Sequence, residues 1–252
     1  MYRFIKKIYL SLIPSKLRHQ LNPITRKILY KLFYSGKNNY CPSCNSYLRK
    51  FISYNHENFN ELICPKCGSL SRTRTLTLYL EETISKEKIN ILDFSPHRSI
   101  YDYWISKKVN YVANDFENEF LSNSKEDITN LSFDSEHFDL IICYHILEHI
   151  PDDSKAIQEL YRVLKKQSTL LAQVPFKKGK TDEDLTITDP VKRKERFGQE
   201  DHVRYYGKDD FIEKLSLAGF KVNTLQYSKT LNDQMIKLYG LKKEDTIFIC
   251  NK

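Results

Sequence analysis

Phe138-Asp139-Leu140-Ile141-Ile142-Cys143-Tyr144-His145-Ile146-Leu147-Glu148-His149-Ile150-Pro151 is the stretch from which the chain is read. It opens as an unbroken apolar run of strand length, as a central strand covered on both faces requires. It closes in a polar cluster. A helix is predicted next, with Asp152 or Asp153 as its cap and Ala156, Ile157, Leu160, Val163 and Leu164 as its apolar stripe. A second strand then reads Ser168-Thr169-Leu170-Leu171-Ala172-Gln173-Val174-Pro175. Strand, helix and strand with short joints predict a parallel crossover unit. Ligands of such sheets bind beyond the carboxyl ends of the strands, where residues 144–151 fall.

His145, Glu148 and His149 also spell H-x-x-E-H, a zinc-protease pattern that needs one long helix to hold both histidines. The strand ends just before His145, and Pro151 follows His149 by two residues. About one helical turn fits between them, which weighs against that reading.

The same stretch, with Glu159-Leu160-Tyr161-Arg162-Val163-Leu164-Lys165 after it, resembles the fourth strand and following helix of class I S-adenosylmethionine-dependent methyltransferases of the type 11 group. With its flanks the resemblance covers roughly residues 75–250. It implies an α/β fold, a doubly wound Rossmann-like sheet of seven strands, and S-adenosyl-L-methionine as cofactor.

Upstream, Ile89-Asn90-Ile91-Leu92-Asp93 reads as the first strand, followed by Phe94-Ser95-Pro96-His97. In the family this loop is glycine-rich, because glycine lets the backbone approach the cofactor closely. Here Asp93 is kept, while Ser95 and His97 stand at the glycine positions around Pro96. The loop resembles that of a subgroup joining a zinc ribbon to the methyltransferase domain, and implies another path around the methionine end. Residues 109–115 read as the second strand. Asp115 at its end can accept two hydrogen bonds from ribose hydroxyls, or it is an ordinary loop carboxylate. Residues 126–133 resemble a family segment in which Asp127 faces the adenine amino group and Ile128 packs on the ring. Phe116 and Tyr144, beside these strand ends, complete the expected cofactor set.

The second clear motif is Cys41-Pro42-Ser43-Cys44, then Cys64-Pro65-Lys66-Cys67-Gly68. Two C-x-x-C pairs at this spacing predict a zinc ribbon, four thiolates filling a tetrahedral structural site; redox disulfides are the alternative. Gly68, and Asn45 after the first pair, stand where a left-handed backbone is wanted. Cys143 and Cys250 read as buried free thiols.

The net charge of +8 is uneven. Residues 1–56 carry eleven Lys or Arg and no acid, leaving 29 basic and 32 acidic residues for the rest, a net of −3. Residues 1–36 read as basic amphipathic helices broken near Pro14 and Pro23, with Ile5, Ile8, Tyr9 and Leu12, and then Ile28, Leu29, Leu32 and Phe33, at helical spacing. Such a face packs on the domain, meets an anionic membrane surface or binds nucleic acid. No apolar stretch reaches a membrane span, no signal peptide is recognised, and cysteine usage fits a reducing, cytoplasmic location, peripheral at a membrane if the arm binds one.

Residues 71–85 read as a helix, in which Arg72 and Arg74 form salt bridges or meet a substrate anion. A polar insertion over 176–206 contains Phe197-Gly198-Gln199-Glu200-Asp201-His202-Val203-Arg204, which resembles the zinc-ribbon subgroup. It is a solvated loop or a substrate cap bringing His202 and Arg204 to the site. A last helix begins at Gly207, and two closing antiparallel strands follow.

The sequence thus predicts a basic N-terminal segment (1–36), a zinc ribbon (37–70) and a methyltransferase domain (71–252). His145, His149 and His202 are the candidate bases, His149 being equally readable as structural. The acceptor class preferred from family breadth is a small molecule or a saccharide. An RNA substrate is the alternative, although no N-P-P-Y-like or Pro-Cys motif is present. A non-catalytic cofactor-binding protein is the other alternative. The oligomeric state has no sequence signature.

Overall fold

The computed structural model describes residues 23–56, 59–84, 88–107, 109–117 and 119–252. The predicted helix around Ile5 to Leu12 lies outside them. Two compact units form: one contains the chain up to Glu82 with Ser228–Asp245, the other Thr83–Tyr227 with Thr246–Lys252. This differs from the boundary read at residue 70, because a late segment returns to the cysteine-bearing unit. No described helix is long and apolar enough to cross a membrane.

In the first unit, α1 (residues 23–29) runs into a π-turn at Tyr30–Tyr34. Strands β1 (Ser35–Cys41) and β2 (Ser46–Leu48) pair antiparallel, as do β3 (Ile52–His56) and β4 (Phe59–Ile63). Helix α2 (Ser71–Thr83) follows. The unit's buried apolar cluster is small: Cys41, Leu48, Phe51 and Cys64. Arg74 is fully buried there, neither salt-bridged at the surface nor free for an anion. Its guanidinium donates to the carbonyls of Ser69 (2.6 Å), Leu62 (2.9 Å), Tyr239 (2.8 Å) and Gly240 (2.5 Å), and lies over the Phe51 ring. One side chain thereby satisfies backbone acceptors of three segments, which offsets the cost of burying its charge.

The second unit is built on a sheet of β5 (Asn90–Phe94), β6 (Asn110–Asn114), β7 (Phe138–Tyr144), β8 (Leu164–Gln173), β12 (Lys221–Leu225) and β13 (Ile247–Asn251). The order is β12-β13-β8-β7-β5-β6, parallel except that β13 is antiparallel to both neighbours. β7 is central, and Phe138 and Leu140 to Cys143 are buried. Between strands lie α3 (Arg98–Ile105) and α4 (Asp153–Val163). Asp152 caps α4 by accepting Lys155 N–H at 3.0 Å, and the stripe Ala156, Ile157, Leu160, Val163 is buried.

Among the described residues the sheet has six strands, not the seven implied by the resemblance. Beyond β6 stands one isolated parallel bridge, Asn114 with Ser124, and two side-chain amides flank it. Asn123 accepts Ala113 N–H (2.8 Å) and donates to Tyr111 O (3.0 Å), while Asn114 accepts Glu126 N–H (2.6 Å) and donates to Glu126 O (3.0 Å). An Asn amide copies the donor and acceptor of a peptide group, so the two side chains extend the pairing that the backbone makes where Asp115 N–H meets Ser124 O (3.2 Å) and Ser124 N–H meets Ala113 O (3.1 Å).

The insertion is folded. It carries β9 (Phe176–Lys177), β10 (Asp182–Glu183), α5 (Pro190–Phe197) and β11 (Arg204–Gly207), with β11 between the other two strands. Pro190 at the first turn, Asp189 as N-cap and Gly198 as left-handed C-cap delimit α5. α6 (Lys208–Leu217) then leads to the closing antiparallel pair β12 and β13.

Candidate active site and candidate metal centre

β7 ends at Tyr144, and the chain turns at once: His145 adopts a left-handed φ of 57° and donates its N–H to Gln173 O at 2.7 Å. Leu147–His149 form a single 3-10 turn, so the two histidines do not share a helix. The turn drops Glu148 into the interior at 0% exposure, where its Oε1 lies 3.0 Å from His145 Nδ1. That bond fixes the proton on Nδ1 and leaves His145 Nε2 able to accept one. Burial pushes the Glu148 carboxyl up, but the hydrogen bond from His145 and the neighbouring His145 and His149 rings hold it below its ordinary value. Glu148 is therefore a carboxylate at neutral pH.

The folded insertion supplies the opposite wall. His202 is 2% exposed, hydrogen-bonds Phe197 O through Nδ1 at 3.0 Å, and brings Nε2 to 4.0 Å from Glu148 Oε1. Burial lowers its pKa, so the ring is neutral. His149 stands edge-on to His202, ring centroids 4.6 Å apart, with Nδ1 3.1 Å from Asp201 Oδ2. The three histidines expected from sequence are thus brought together, around a carboxylate that the sequence reading mentioned only within the protease pattern. Asp201 was missed as well, though it adjoins His202.

Arg204 does not reach the site as a free cation. Fully buried, it donates to the carbonyls of Leu147 (2.8 Å), Ile150 and Pro151 (2.8 Å) and to Glu183 Oε1 (3.0 Å). Val203 N–H donates to Glu148 O at 3.0 Å. The insertion is therefore stapled to the turn that carries Glu148 and His149.

At the ends of β5 and β6 two of the expected cofactor residues, Ser95 and Asp115, are joined. Ser95 takes the left-handed conformation, φ 47°, normally left to glycine, and donates its hydroxyl to Asp115 Oδ1 at 2.8 Å. Asp115 Oδ2 accepts Phe120 N–H at 2.8 Å, leaving the side chain 2% exposed. Pro96 is buried, and His97 caps α3 by accepting Ser99 N–H at 3.2 Å. Asp93 is 2% exposed, accepts Tyr111 O–H at 3.0 Å, and is raised to about 8 by burial. Phe116 is half exposed. Tyr144 is partly buried. Asp127 is exposed and accepts both Thr129 N–H and Oγ1–H at 2.8 Å, while Ile128 is a core residue. The Asp127–Ile128 pair is thus split between surface and core.

In the other unit the four cysteines converge. Cys41 Sγ is 3.8 Å from Cys67 Sγ, and Cys44 Sγ is 3.8 Å from Cys64 Sγ, with no disulfide. Thiolates about 2.3 Å from one tetrahedral ion stand about 3.8 Å apart, so the donor set fits zinc. Asn45 (φ 46°) and Gly68 (φ 82°) are both left-handed, as the turns after each pair require. Ser69 Oγ lies 3.3 Å from Cys41 Sγ and 3.2 Å from Cys67 Sγ, a position from which it can orient the thiolates.

Residues 90–172 match the family described as "Methyltransferase domain". No curated protein matches the chain. Among solved structures, the complex of the Haloferax volcanii Trm112 methyltransferase activator with a methyltransferase is similar at 12% identity, TM-score 0.50, over 71% of this chain and 89% of that one. The [4+2]-cyclase SpnF is similar at 12% identity, TM-score 0.50, over 94% of this chain and 95% of that one. These likenesses establish a Rossmann-like α/β architecture. The methyltransferase-domain match over residues 90–172, about a third of the chain, supports an S-adenosylmethionine-dependent methyltransferase of unspecified acceptor.

Proposed function

We propose that the chain transfers a methyl group to a hydroxyl or amine of a small molecule or saccharide, with His145 as general base. The observation that carries this is the pairing of His145, in a strained left-handed conformation at the end of β7, with the buried carboxylate of Glu148 at 3.0 Å. Strain of this kind persists where surrounding structure enforces it. The cofactor supplies a sulfonium-bound methyl and leaves as a neutral thioether. His145 Nε2 takes the acceptor's proton, and Glu148 stabilises the resulting imidazolium. The insertion, with His202, closes the site against water. His149, paired with Asp201, lines the same wall.

The cofactor's ribose is assigned to Asp115, its adenine to Asp127, and its methionine end to Asp93 and residues 95–97, with Phe116 and Tyr144 alongside. Ser95 and Phe120 hold the places on Asp115 that two ribose hydroxyls would take, so binding exchanges one pair of donors for another. Calorimetric titration of S-adenosylmethionine should show Asp115→Ala weakening affinity by roughly ten- to a hundredfold, about 1.5–3 kcal/mol. Asp127→Ala, losing one amino contact, should cost less. A folded wild-type protein that fails to bind the cofactor at millimolar concentration sinks this reading. The alternative that then remains is catalysis without methyl transfer on the same fold, in line with the cyclase likeness.

The cysteine cluster is assigned to one structural zinc. The basic N-terminal stretch is assigned to an anionic membrane surface. Arg26 packs inward with Nη1 3.4 Å from Cys64 O, while Ile24, Ile28, Leu32 and Phe33 are more than half exposed beside Lys27 and Lys31. Apolar residues beside uncompensated cations suit a lipid interface. Ile28→Ser/Leu32→Ser should reduce sedimentation with phosphatidylserine vesicles several-fold and leave neutral vesicles unaffected. Equal retention by both vesicle types discards the assignment.

A further inference from the structure

We propose that Glu148, His149 and His202 bind a divalent first-row metal ion of the zinc class, a second metal site distinct from the four cysteines. One potential ligand atom from each residue lies within 4.8 Å of the other two. Donors about 2.1 Å from one tetrahedral ion stand about 3.4 Å apart, so side-chain rotations closing at most about 1.4 Å complete the set.

Proximity alone is weak, but the hydrogen-bond inventory points the same way. Glu148 Oε2 and His202 Nε2 are both buried and lack a hydrogen-bond partner among the described residues. His202 Nδ1 is engaged by a carbonyl, which accepts only, so Nδ1 carries the proton and Nε2 presents a lone pair. That lone pair lies 4.0 Å from Glu148 Oε1, the oxygen bonded to His145, and the second oxygen of the same carboxylate, Oε2, has no donor. Buried acceptors without a donor cost free energy unless something positive reaches them. His149 has the same preparation: Nδ1 is held by Asp201, leaving Nε2 with its lone pair. Ring nitrogens oriented through the opposite N–H by a carbonyl or carboxylate are the usual outer support of metal-bound histidine.

Two imidazoles and a carboxylate favour a borderline ion over calcium or magnesium, and three protein ligands leave a position open. That position would take an oxygen of the acceptor. The metal would polarise that oxygen while His145, on the other carboxylate oxygen of Glu148, receives its proton. This last step rests on the methyl-transfer reading; the metal site itself does not.

The test is zinc content of the full-length protein after equilibration with micromolar zinc chloride and gel filtration. Wild type should carry two zinc ions per chain, and Glu148→Gln, His202→Ala and His149→Ala one each. His149 is 28% exposed, so its variant is the one that preserves folding if the buried substitutions do not. Titration with Co(II) of protein brought to one zinc per chain, held by the four cysteines, should add d–d absorption without a thiolate charge-transfer band, and His149→Ala should remove it. One zinc in the wild type, or two in a folded His149→Ala, overturns the proposal. Because the readout is metal content, a protein that binds two zinc ions but no S-adenosylmethionine separates failure of the methyl-transfer reading from failure of this one.

Discussion

Stripping the zinc proposed for the four-cysteine cluster is expected to unfold the unit that carries it. That unit has a small apolar core, and two of its four fully assigned members, Cys41 and Cys64, are themselves in the cluster. Small units of this kind need a metal or a disulfide to be stable, and apparent zinc binding energies of about 10–16 kcal/mol make such sites part of the fold. Without the ion, four thiols converge with nothing to bind, and the turns at Asn45 and Gly68 lose the contact that holds them. Two of the four carbonyls gathered by Arg74, those of Leu62 and Ser69, flank the second cysteine pair, so they part from the other two when that pair is released. Cys64→Ser, or a high-affinity chelator, should abolish stoichiometric zinc at this site and remove the unit's protected amides in hydrogen exchange. Zinc-free protein with unchanged exchange protection would refute a structural role, and cysteines recovered as disulfides would favour the redox alternative.

His145→Asn is expected to lower kcat by about a hundredfold or more, within the 10²–10⁴ range for loss of a general base, with cofactor affinity nearly unchanged. Asparagine is the informative replacement because it tolerates the left-handed backbone that His145 adopts. The loss then reports the imidazole and not a refolded turn. Glu148→Gln should approach the same loss, since a neutral amide cannot stabilise the imidazolium, and the two losses should not add because both residues act as one unit. Measurement requires an acceptor, found by transferring a labelled methyl from S-adenosylmethionine into extract components and identifying the product by mass spectrometry. Turnover within threefold of wild type in a folded His145→Asn removes His145 from the chemistry.

The sequence determined the parts that depend on local pattern. An apolar run with no alternation placed β7 in the middle of a sheet, and Asp152 with the stripe behind it placed α4. Pro151 and the strand before His145 excluded a long metal-binding helix, and a single 3-10 turn stands there. Paired cysteines followed by Asn45 and Gly68 announced a converging cluster, because the turn geometry is written in the residues themselves.

Tertiary structure decided what sequence distance hides. Glu148 looked like one letter of a rejected motif; only the packing of the insertion against the turn brings it to His202, 54 positions on. Arg74 and Arg204 had the composition of anion-binding residues, yet Arg74 is consumed by backbone carbonyls and Arg204 by carbonyls together with Glu183 and Asp153, because a buried guanidinium must satisfy its donors within the fold. The edge beyond β6 is a similar case: among the described residues it is a single parallel bridge at Ser124 extended by the side-chain amides of Asn114 and Asn123, and no periodicity of the chain encodes that choice. Periodicity reports which face of an element is buried. Which polar group answers which is settled only when distant segments are brought within hydrogen-bonding range.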